Sequence, residues 1–233
     1  MNIKTVVEKI IQRTPNVKSL RLSRPASFDY NAGQYLIISV PTKNGGVLKK
    51  PITISSSPTE NFIEVTKKIT AGHDFSDTFD SVRVGDTIQL DAPFGTFVLD
   101  PTQTKVAMLS GGIGITPFRS MCRYATDSKL ETDIVLCYAN KTSADIVFRE
   151  EFEQMKKDNQ HFKIIHTLSR EDASWTGRTG RIDATLITNE LPDYVQRLFY
   201  LCGPPPMITA MQDFLQELGV PKQKIIVEKF STN

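Results

Sequence analysis

Cysteine is scarce in this sequence: three residues, Cys122, Cys137 and Cys202, in 233. An odd, widely spaced set makes no disulfide framework and suits a reducing compartment. No two share a Cys-x-x-Cys spacing, which excludes an iron–sulfur centre held by these residues. Histidine is equally sparse. His73 stands alone and His161 and His166 share a separate segment, so no metal-ligand spacing arises and no metal site is expected. There is no run of about 18 apolar residues, so no membrane-spanning helix is expected. The stretch from Met1 to Ile10 alternates charged and apolar residues and lacks the continuous apolar core of a secretion signal. Charge is nearly balanced, with 28 Lys and Arg against 26 Asp and Glu. The basic residues are scattered, which argues against nucleic-acid binding. These absences predict a soluble, cytoplasmic protein.

What is present is ordinary globular material, 39% hydrophobic and 23% charged, long enough for one large domain or two small ones. The texture changes near Asp100. Residues 1–100 read as short β-branched strands at Ile3–Ile11, Val17–Leu22, Tyr35–Val40, Leu48–Ser55, Phe62–Ile69 and Thr87–Leu90. Turn-rich pieces at 31–33, 43–46, 57–59, 84–86 and 92–95 separate them, and one or two helical turns fall at Phe75–Val82. This spacing predicts a small antiparallel barrel or sandwich. In residues 101–233 strands at Val106–Leu109, Asp133–Ala139, Lys163–Leu168, Arg197–Leu201 and Lys224–Val227 alternate with helices. The helices are expected at Thr116–Ala125, Phe148–Asp158, Asp183–Thr188 and Pro205–Leu218. Alternation of this kind predicts a doubly wound parallel sheet, with ligands at the carboxyl ends of its strands.

The stretch Leu109 to Phe118 joins a strand to a helix through Gly111, Gly112 and Gly114. Glycines let a backbone approach a pyrophosphate, and the free N–H groups at a helix start attract its charge. A tight steric connection explains the same glycines. The dinucleotide fingerprint Gly-x-Gly-x-x-Gly is not met, because Pro117 takes the third place. The ribose-binding acid is also missing, since Asn140 and Lys141 follow the next strand. Arg170, Arg178 and Arg181 cluster later, and Arg suits bidentate contact with phosphate. In the first half, Lys50 precedes Thr53 by three residues on an extended segment that runs on into three serines. Its plain reading is an edge strand with solvated hydroxyls. From Ala71 to Ser76 a glycine precedes a hydroxyl at a helix start, where Ser76 as an N-cap needs no ligand.

Five ordered segments nevertheless resemble the ferredoxin–NADP reductase family: the barrel hydroxyl motif, the glycine–serine loop, the Gly-Gly-x-Gly-x-x-Pro turn, a Cys-Gly-Pro turn and a C-terminal Glu-x-Phe. The resemblance spans essentially the whole chain. It implies an N-terminal flavin-binding antiparallel β-barrel over 1–100 and a C-terminal NAD(P)-binding α/β domain over 101–233. It implies FAD as cofactor, FMN being the second choice. Position by position, Thr53 matches the hydroxyl that bonds flavin N5. Gly72 and Ser76, with Phe75 between them, match the loop at the flavin pyrophosphate. Gly111, Gly112, Gly114, Thr116 and Pro117 match the dinucleotide turn. Cys202, Gly203 and Pro204, with Met207, match the segment under the nicotinamide, and Glu228 and Phe230 the terminal carboxylate and aromatic. Thr53, Cys202 and Glu228 are the implied catalytic residues. Ser169 and Arg170, assisted by Arg178, stand where NADPH users hold the 2′-phosphate, which favours NADPH over NADH. Two departures stand at the barrel motif, where Lys50 replaces an Arg fork and Ile52 replaces a Tyr ring.

The activity implied is hydride transfer from NAD(P)H to FAD N5, with electrons leaving to a ferredoxin- or flavodoxin-type carrier or an oxygenase component. Ile52 motivates an alternative in which free flavin is the substrate. A flavin-binding electron-transfer subunit without its own hydride step is the third reading.

Overall fold

A computed structural model describes residues 1–42, 44–170 and 175–230; Lys43, in the turn expected at 43–46, lies outside them. The first half is a six-stranded antiparallel sheet in the order β4-β3-β6-β1-β2-β5. Its strands are β1 (Asn2–Thr14), β2 (Val17–Ser23), β3 (Tyr35–Pro41), β4 (Val47–Thr53), β5 (Phe62–Lys68) and β6 (Thr87–Phe94). Alternation is clear in β1, where Ile3, Thr5 and Val7 are buried between exposed neighbours. A period of two lays one row of side chains on one face of a sheet. The chain beyond β4 then bridges to β5 through Ile54 and Val65, and the Ser55 N–H donates to the Glu64 carbonyl at 2.8 Å. That joins the two outer strands and closes the sheet into a barrel. Helix α1 (Asp74–Ser81) seats Phe79 in the barrel core, with Phe75 and Ile52 packed at its margin.

The second half is an all-parallel sheet ordered β10-β9-β8-β7-β11-β12. Its elements are β7 (Lys105–Gly111), α2 (Thr116–Asp127), β8 (Asp133–Asn140), α3 (Arg149–Asp158), β9 (Phe162–Leu168), β10 (Arg178–Thr179), α4 (Ala184–Glu190), β11 (Leu198–Gly203), α5 (Pro205–Glu217) and β12 (Ile225–Lys229). Successive residues of β7 serve opposite faces: Val106 and Met108 pack with α2 and α3, Ala107 and Leu109 with α4 and α5. The sheet is therefore doubly wound. All three cysteines are buried and unpaired.

Aromatic packing and backbone bonds join the halves. Phe97 meets Tyr200 edge-on at 5.5 Å and Phe118 at 5.8 Å. The Tyr200 hydroxyl donates to the Val98 carbonyl at 3.0 Å and accepts from the Asp100 N–H at 3.2 Å. A side chain at Gly33 would collide with the Phe97 carbonyl and with Met121.

Some elements differ from the expectation. Strand β6 runs four residues past Leu90, to Phe94, because Ala92 continues the buried row. The two-residue β10 carries no period and is invisible to pattern. Ser76 is not an N-cap: His73 holds that place and Ser76 lies within the first turn of α1. The segment after Lys50 is an edge strand, yet its hydroxyls are not solvated, since Thr53, Ser55, Ser56 and Ser57 are all buried.

His166 sits on β9 against Tyr138 and Trp175, with ring centroids 5.8 and 6.4 Å away. Neither ring nitrogen has a hydrogen-bond partner among the described residues, although Glu153 Oε1 stands 3.8 Å from Nε2. Burial, helped by Arg149 and Lys156 and opposed by Glu153, pushes its pKa down to about 4. Between that value and the ordinary 6.5 the unfolded chain binds more protons than the folded one, so stability falls as pH drops through this window. The full shift corresponds to roughly 3 kcal/mol. Urea unfolding from pH 7 to pH 4 should show this loss, and His166→Gln should flatten it. An unchanged slope in the variant assigns the acid sensitivity elsewhere.

Candidate functional site

The site is built from two strand ends and two helix starts. Thr53 ends β4 and is only 7% exposed, yet its hydroxyl has no hydrogen-bond partner among the described residues. Its oxygen is not among the sealed, unpartnered atoms of the core, so it stays open to water or a ligand at an otherwise buried strand end. Ser76 is similar: 3% exposed, in the first turn of α1, with no partner for its hydroxyl. No side chain caps this helix start, and Gly72, just before it, has φ +80° with open space where a Cβ would stand. Asp74 and Asp77 lie in the first turn, both exposed. The positive charge comes from the neighbouring strands. Lys50 Nζ and Lys67 Nζ lie 5.9 and 5.7 Å from the Phe75 ring centre, so two ammonium groups share one aromatic side chain. Burial and the charge of Lys50 together lower the Lys67 pKa. Two cations held together beside an open helix start and a free hydroxyl make an anion cradle.

Lys67 escaped the sequence reading. The signal was there as the Lys67–Lys68 pair ahead of Gly72, but only the β5 register decides which of the two faces the cradle.

The glycines of the turn do different work. A Cβ at Gly111 would collide with Met207 Sδ, and one at Gly114 with the Cys202 carbonyl. Gly203 packs on Gly111, where a Cβ would stand 3.2 Å from the Gly111 nitrogen. These three let the turn and the Cys-Gly-Pro segment lie backbone to backbone. Gly112 alone has φ +54° and open space beyond it, and its carbonyl accepts from the Tyr138 hydroxyl at 3.0 Å. The chain passes through a 3₁₀ turn, Gly112–Ile115, before α2 begins with Thr116 and Pro117. Pro is suited to such a start, where its missing N–H is no loss. The Thr116 hydroxyl is already engaged, donating to the Ile113 carbonyl at 3.2 Å.

Cys202, next to last in β11, is fully buried, and burial, with Glu228 beside it in the sheet, pushes its thiol well above the ordinary value. It is a wall rather than a nucleophile. Pro204 is exposed at the entry to α5. Glu228, on β12 opposite Cys202, is half-buried and its carboxyl pKa is raised by burial. Phe230 packs at the margin of the same apolar cluster as Cys202 and Phe97.

The remaining predicted residues lie along the rim at β9. The Ser169 N–H donates to the Asn140 carbonyl at 2.9 Å, and the Arg170 N–H to the Lys141 carbonyl at 3.0 Å. This places exposed Arg170 beside Lys141, past the ends of β8 and β9. Arg178 is partly engaged already, 3.4 Å from Asp183. From β11 to β9 the rim spans three strand spacings, about 14 Å. Two bonds tie the barrel side to this sheet close to Thr53. Arg119 Nη1 donates to the Ser55 carbonyl at 3.2 Å and Ser120 Oγ to the Ser56 carbonyl at 2.6 Å.

Residues 4–99 match the oxidoreductase FAD-binding domain and residues 108–213 the oxidoreductase NAD-binding domain. NADH-cytochrome b5 reductase 1 of Debaryomyces hansenii is 30% identical over 196 residues, covering 82% of this chain and 69% of that protein. The glycine betaine monooxygenase reductase subunit of Chromohalobacter salexigens is 30% identical over 219 residues, covering 91% of this chain. The chain spans only 59% of that relative's length and 62% of the Pseudomonas aeruginosa counterparts'. In fold, the FAD/NAD-binding domain of nitric oxide dioxygenase from Vibrio cholerae superposes with a TM-score of 0.86 at 23% identity, covering 97% of this chain and 98% of that one. A ferredoxin–NADP reductase from Neisseria gonorrhoeae, solved with FAD and NADP, gives 0.84 at 19% identity, covering 98% of each. The chain belongs to the ferredoxin–NADP reductase family, with an FAD-binding antiparallel barrel followed by an NAD-binding parallel sheet.

Proposed function

We propose that the chain is an NAD(P)H-dependent flavoprotein reductase that passes electrons to a ferredoxin- or flavodoxin-type carrier or to an oxygenase component. In this reading residues 1–100 form the flavin side and 101–233 the dinucleotide side. The observation that carries it is the Thr53 hydroxyl, unpartnered and open at a buried strand end, two residues before the carbonyls that α2 grips. Bound FAD would accept hydride from the nicotinamide and release electrons one at a time. The chain's residues hold and shield the reactants. Lys50, Lys67, Gly72 and Ser76 receive the flavin pyrophosphate, Phe75 and Ile52 offer apolar surface, and Thr53 meets the flavin ring. Open Gly112 receives the dinucleotide pyrophosphate on a backbone that Gly111, Gly114, Thr116 and Pro117 shape. Cys202, Gly203, Pro204, Met207 and Phe230 exclude water around the nicotinamide. The Glu228 carboxyl, its pKa raised, keeps a proton to higher pH than an exposed glutamate. Holding reacting atoms in close approach is the main contribution a protein makes to such a step.

No cysteine cluster occurs in these 233 residues, so the next carrier lies outside them. Two relatives are named as oxygenase reductase components, from glycine betaine and propane 2-monooxygenase, which supports a partner of that class. Arg170 beside Lys141, with Asn140 and Lys141 rather than an acid at the end of β8, supports NADPH over NADH. A second reading, with free flavin as substrate, draws on Ile52, which gives no aromatic ring to stack.

Flavin-loaded protein mixed rapidly with NADPH or NADH should lose its visible flavin absorbance; failure with both excludes the reductase. FAD that stays stoichiometric through gel filtration would count against the free-flavin reading. Arg170→Ala should raise KM for NADPH by tenfold to a hundredfold, the worth of about 1.5–3 kcal/mol for a charged hydrogen bond, and leave KM for NADH nearly unchanged. An equal rise for both would remove the 2′-phosphate assignment. Lys67→Ala should weaken FAD binding by about tenfold and flatten its salt dependence, since one phosphate-facing charge is lost. An unchanged dissociation constant measured by fluorescence titration would show that Lys67 does not face the cofactor.

A further inference from the structure

Arg119 lies two residues past Pro117 on α2 and is 2% exposed, yet every N–H of its guanidinium is used. Nε and Nη2 donate to Glu151 Oε2 at 2.9 and 2.6 Å. Nη2 also donates to Glu60 Oε1 at 2.9 Å, and Nη1 to Glu60 Oε2 and to the Ser55 carbonyl. Glu60 lies between β4 and β5, while Glu151 opens α3, so one side chain grips both halves. Arg13 on β1 repeats the crossing, with Glu151 at 2.6 Å and Glu64 at 2.8 and 2.9 Å. Glu64 is fully buried and also takes Arg21 at 2.7 Å. Three guanidiniums and three carboxylates neutralise one another. Although burial acts to raise it, Arg119 and Arg13 hold the Glu151 carboxyl below its ordinary pKa. Phe148 lies beneath both Arg13 and Arg119, at 4.7 and 5.8 Å, with φ +61°. A bulky residue in that region is strained, and such strain persists only where the surroundings enforce it.

Buried ion pairs add little net stability, and their better-attested use is to fix one arrangement among several. Here the fixed arrangement has a short path. Thr53 and the Ser55 carbonyl are two residues apart, as are Arg119 and Pro117, and the Arg119–Ser55 hydrogen bond, with Ser120–Ser56 beside it, joins the two pieces.

We propose that Arg119 is a positioning residue: its fork on Glu60 and its bond to the Ser55 carbonyl set the spacing between the Thr53 strand end and the Gly111–Pro117 turn. This rests on the reductase reading, because the spacing governs how closely dinucleotide and flavin meet. Lysine in its place keeps a charge but cannot bridge two carboxylates and a carbonyl. In Arg119→Lys, amide exchange over 53–57 and 112–118 should quicken at least tenfold, while β1 and β8 keep their protection. The limiting rate of flavin bleaching at saturating nicotinamide should fall about tenfold to a hundredfold, the known sensitivity to misplacement by about an ångström. Flavin content and the dinucleotide dissociation constant should stay within about threefold of wild type. Ser120→Ala, which loses only the bond to Ser56, should shift exchange and rate the same way by a smaller factor. It carries the test should Arg119→Lys fail to fold. Wild-type rates and local exchange in the folded variants would overturn the proposal. So would faster exchange spread through both sheets, which would make Arg119 a general stabiliser. A wild-type protein that neither nicotinamide bleaches defeats the reductase reading and this inference with it. A bleached wild type with unaffected variants defeats this inference alone.

Discussion

No side chain fits between the glycine turn and the end of β11. Gly114 faces the Cys202 carbonyl, Gly111 faces Met207, and Gly203 lies on Gly111. This backbone-to-backbone contact fixes where α2 starts, because the turn must dock before the helix can leave it. It also releases one glycine from packing duty. Gly112, at positive φ with open space beyond, is free for a ligand to approach. The same contact seals Cys202, so that its thiol contributes shape and dryness rather than reactivity. A plain Rossmann turn divides its glycines among a tight bend, ligand approach and helix packing. Here the third task falls to the Gly114–Cys202 contact, which leaves Pro117 free to begin the helix.

Charge is divided on a similar principle. Arg13, Arg21 and Arg119 are neutralised by buried carboxylates and are spent on architecture. Arg197 is likewise committed, to Asp133 and Asp193. Lys67 differs: its ammonium donates to the Lys68 carbonyl at 3.1 Å, and the charge acting on it is that of another cation, Lys50. Two like charges on one aromatic ring repel, and an incoming anion relieves that repulsion. A phosphate binding there gains more than it would at two separate lysines. At the far rim the contrast recurs. Arg178 already has Asp183 in reach, whereas Arg170 is exposed beside Lys141. Of the two, Arg170 is therefore the one proposed to meet a phosphate.

Periodicity made most of the architecture readable in the sequence, because each strand and helix repeats its buried face often enough to register. Strand β10 has only two residues and owes its existence to β9 beside it. Strand β6 was expected to stop at Leu90 because Pro93 suggests a break, yet the buried row continues through Ala92. The proposed site residues were matched through the order of their motifs along the chain. What supports them was not. Arg119 reads as one more solvated charge among apolar neighbours, and its partners are 59 and 32 residues away in sequence. The serines after Thr53 read as solvated for the same reason. Only the closure of β4 onto β5, with α2 laid across the joint, buries them.

The two departures at the barrel motif then have a common physical meaning. An Arg fork and a Tyr ring would hold a flavin by direction, through paired hydrogen bonds and stacking. In the proposed site Lys50 and Ile52 would hold it by proximity, through point charge and dispersion. Ile52 and Phe75 pack against the same barrel core, so the apolar surface offered is continuous though not aromatic at the strand. Lys67 would add the second charge that the fork would have supplied, from a neighbouring strand rather than from the same side chain. Such a cradle keeps much of the attraction and gives up orientation. Orientation must then come from elsewhere, and in the proposed arrangement it comes from the Thr53 strand end and the buried Arg119 joint behind it.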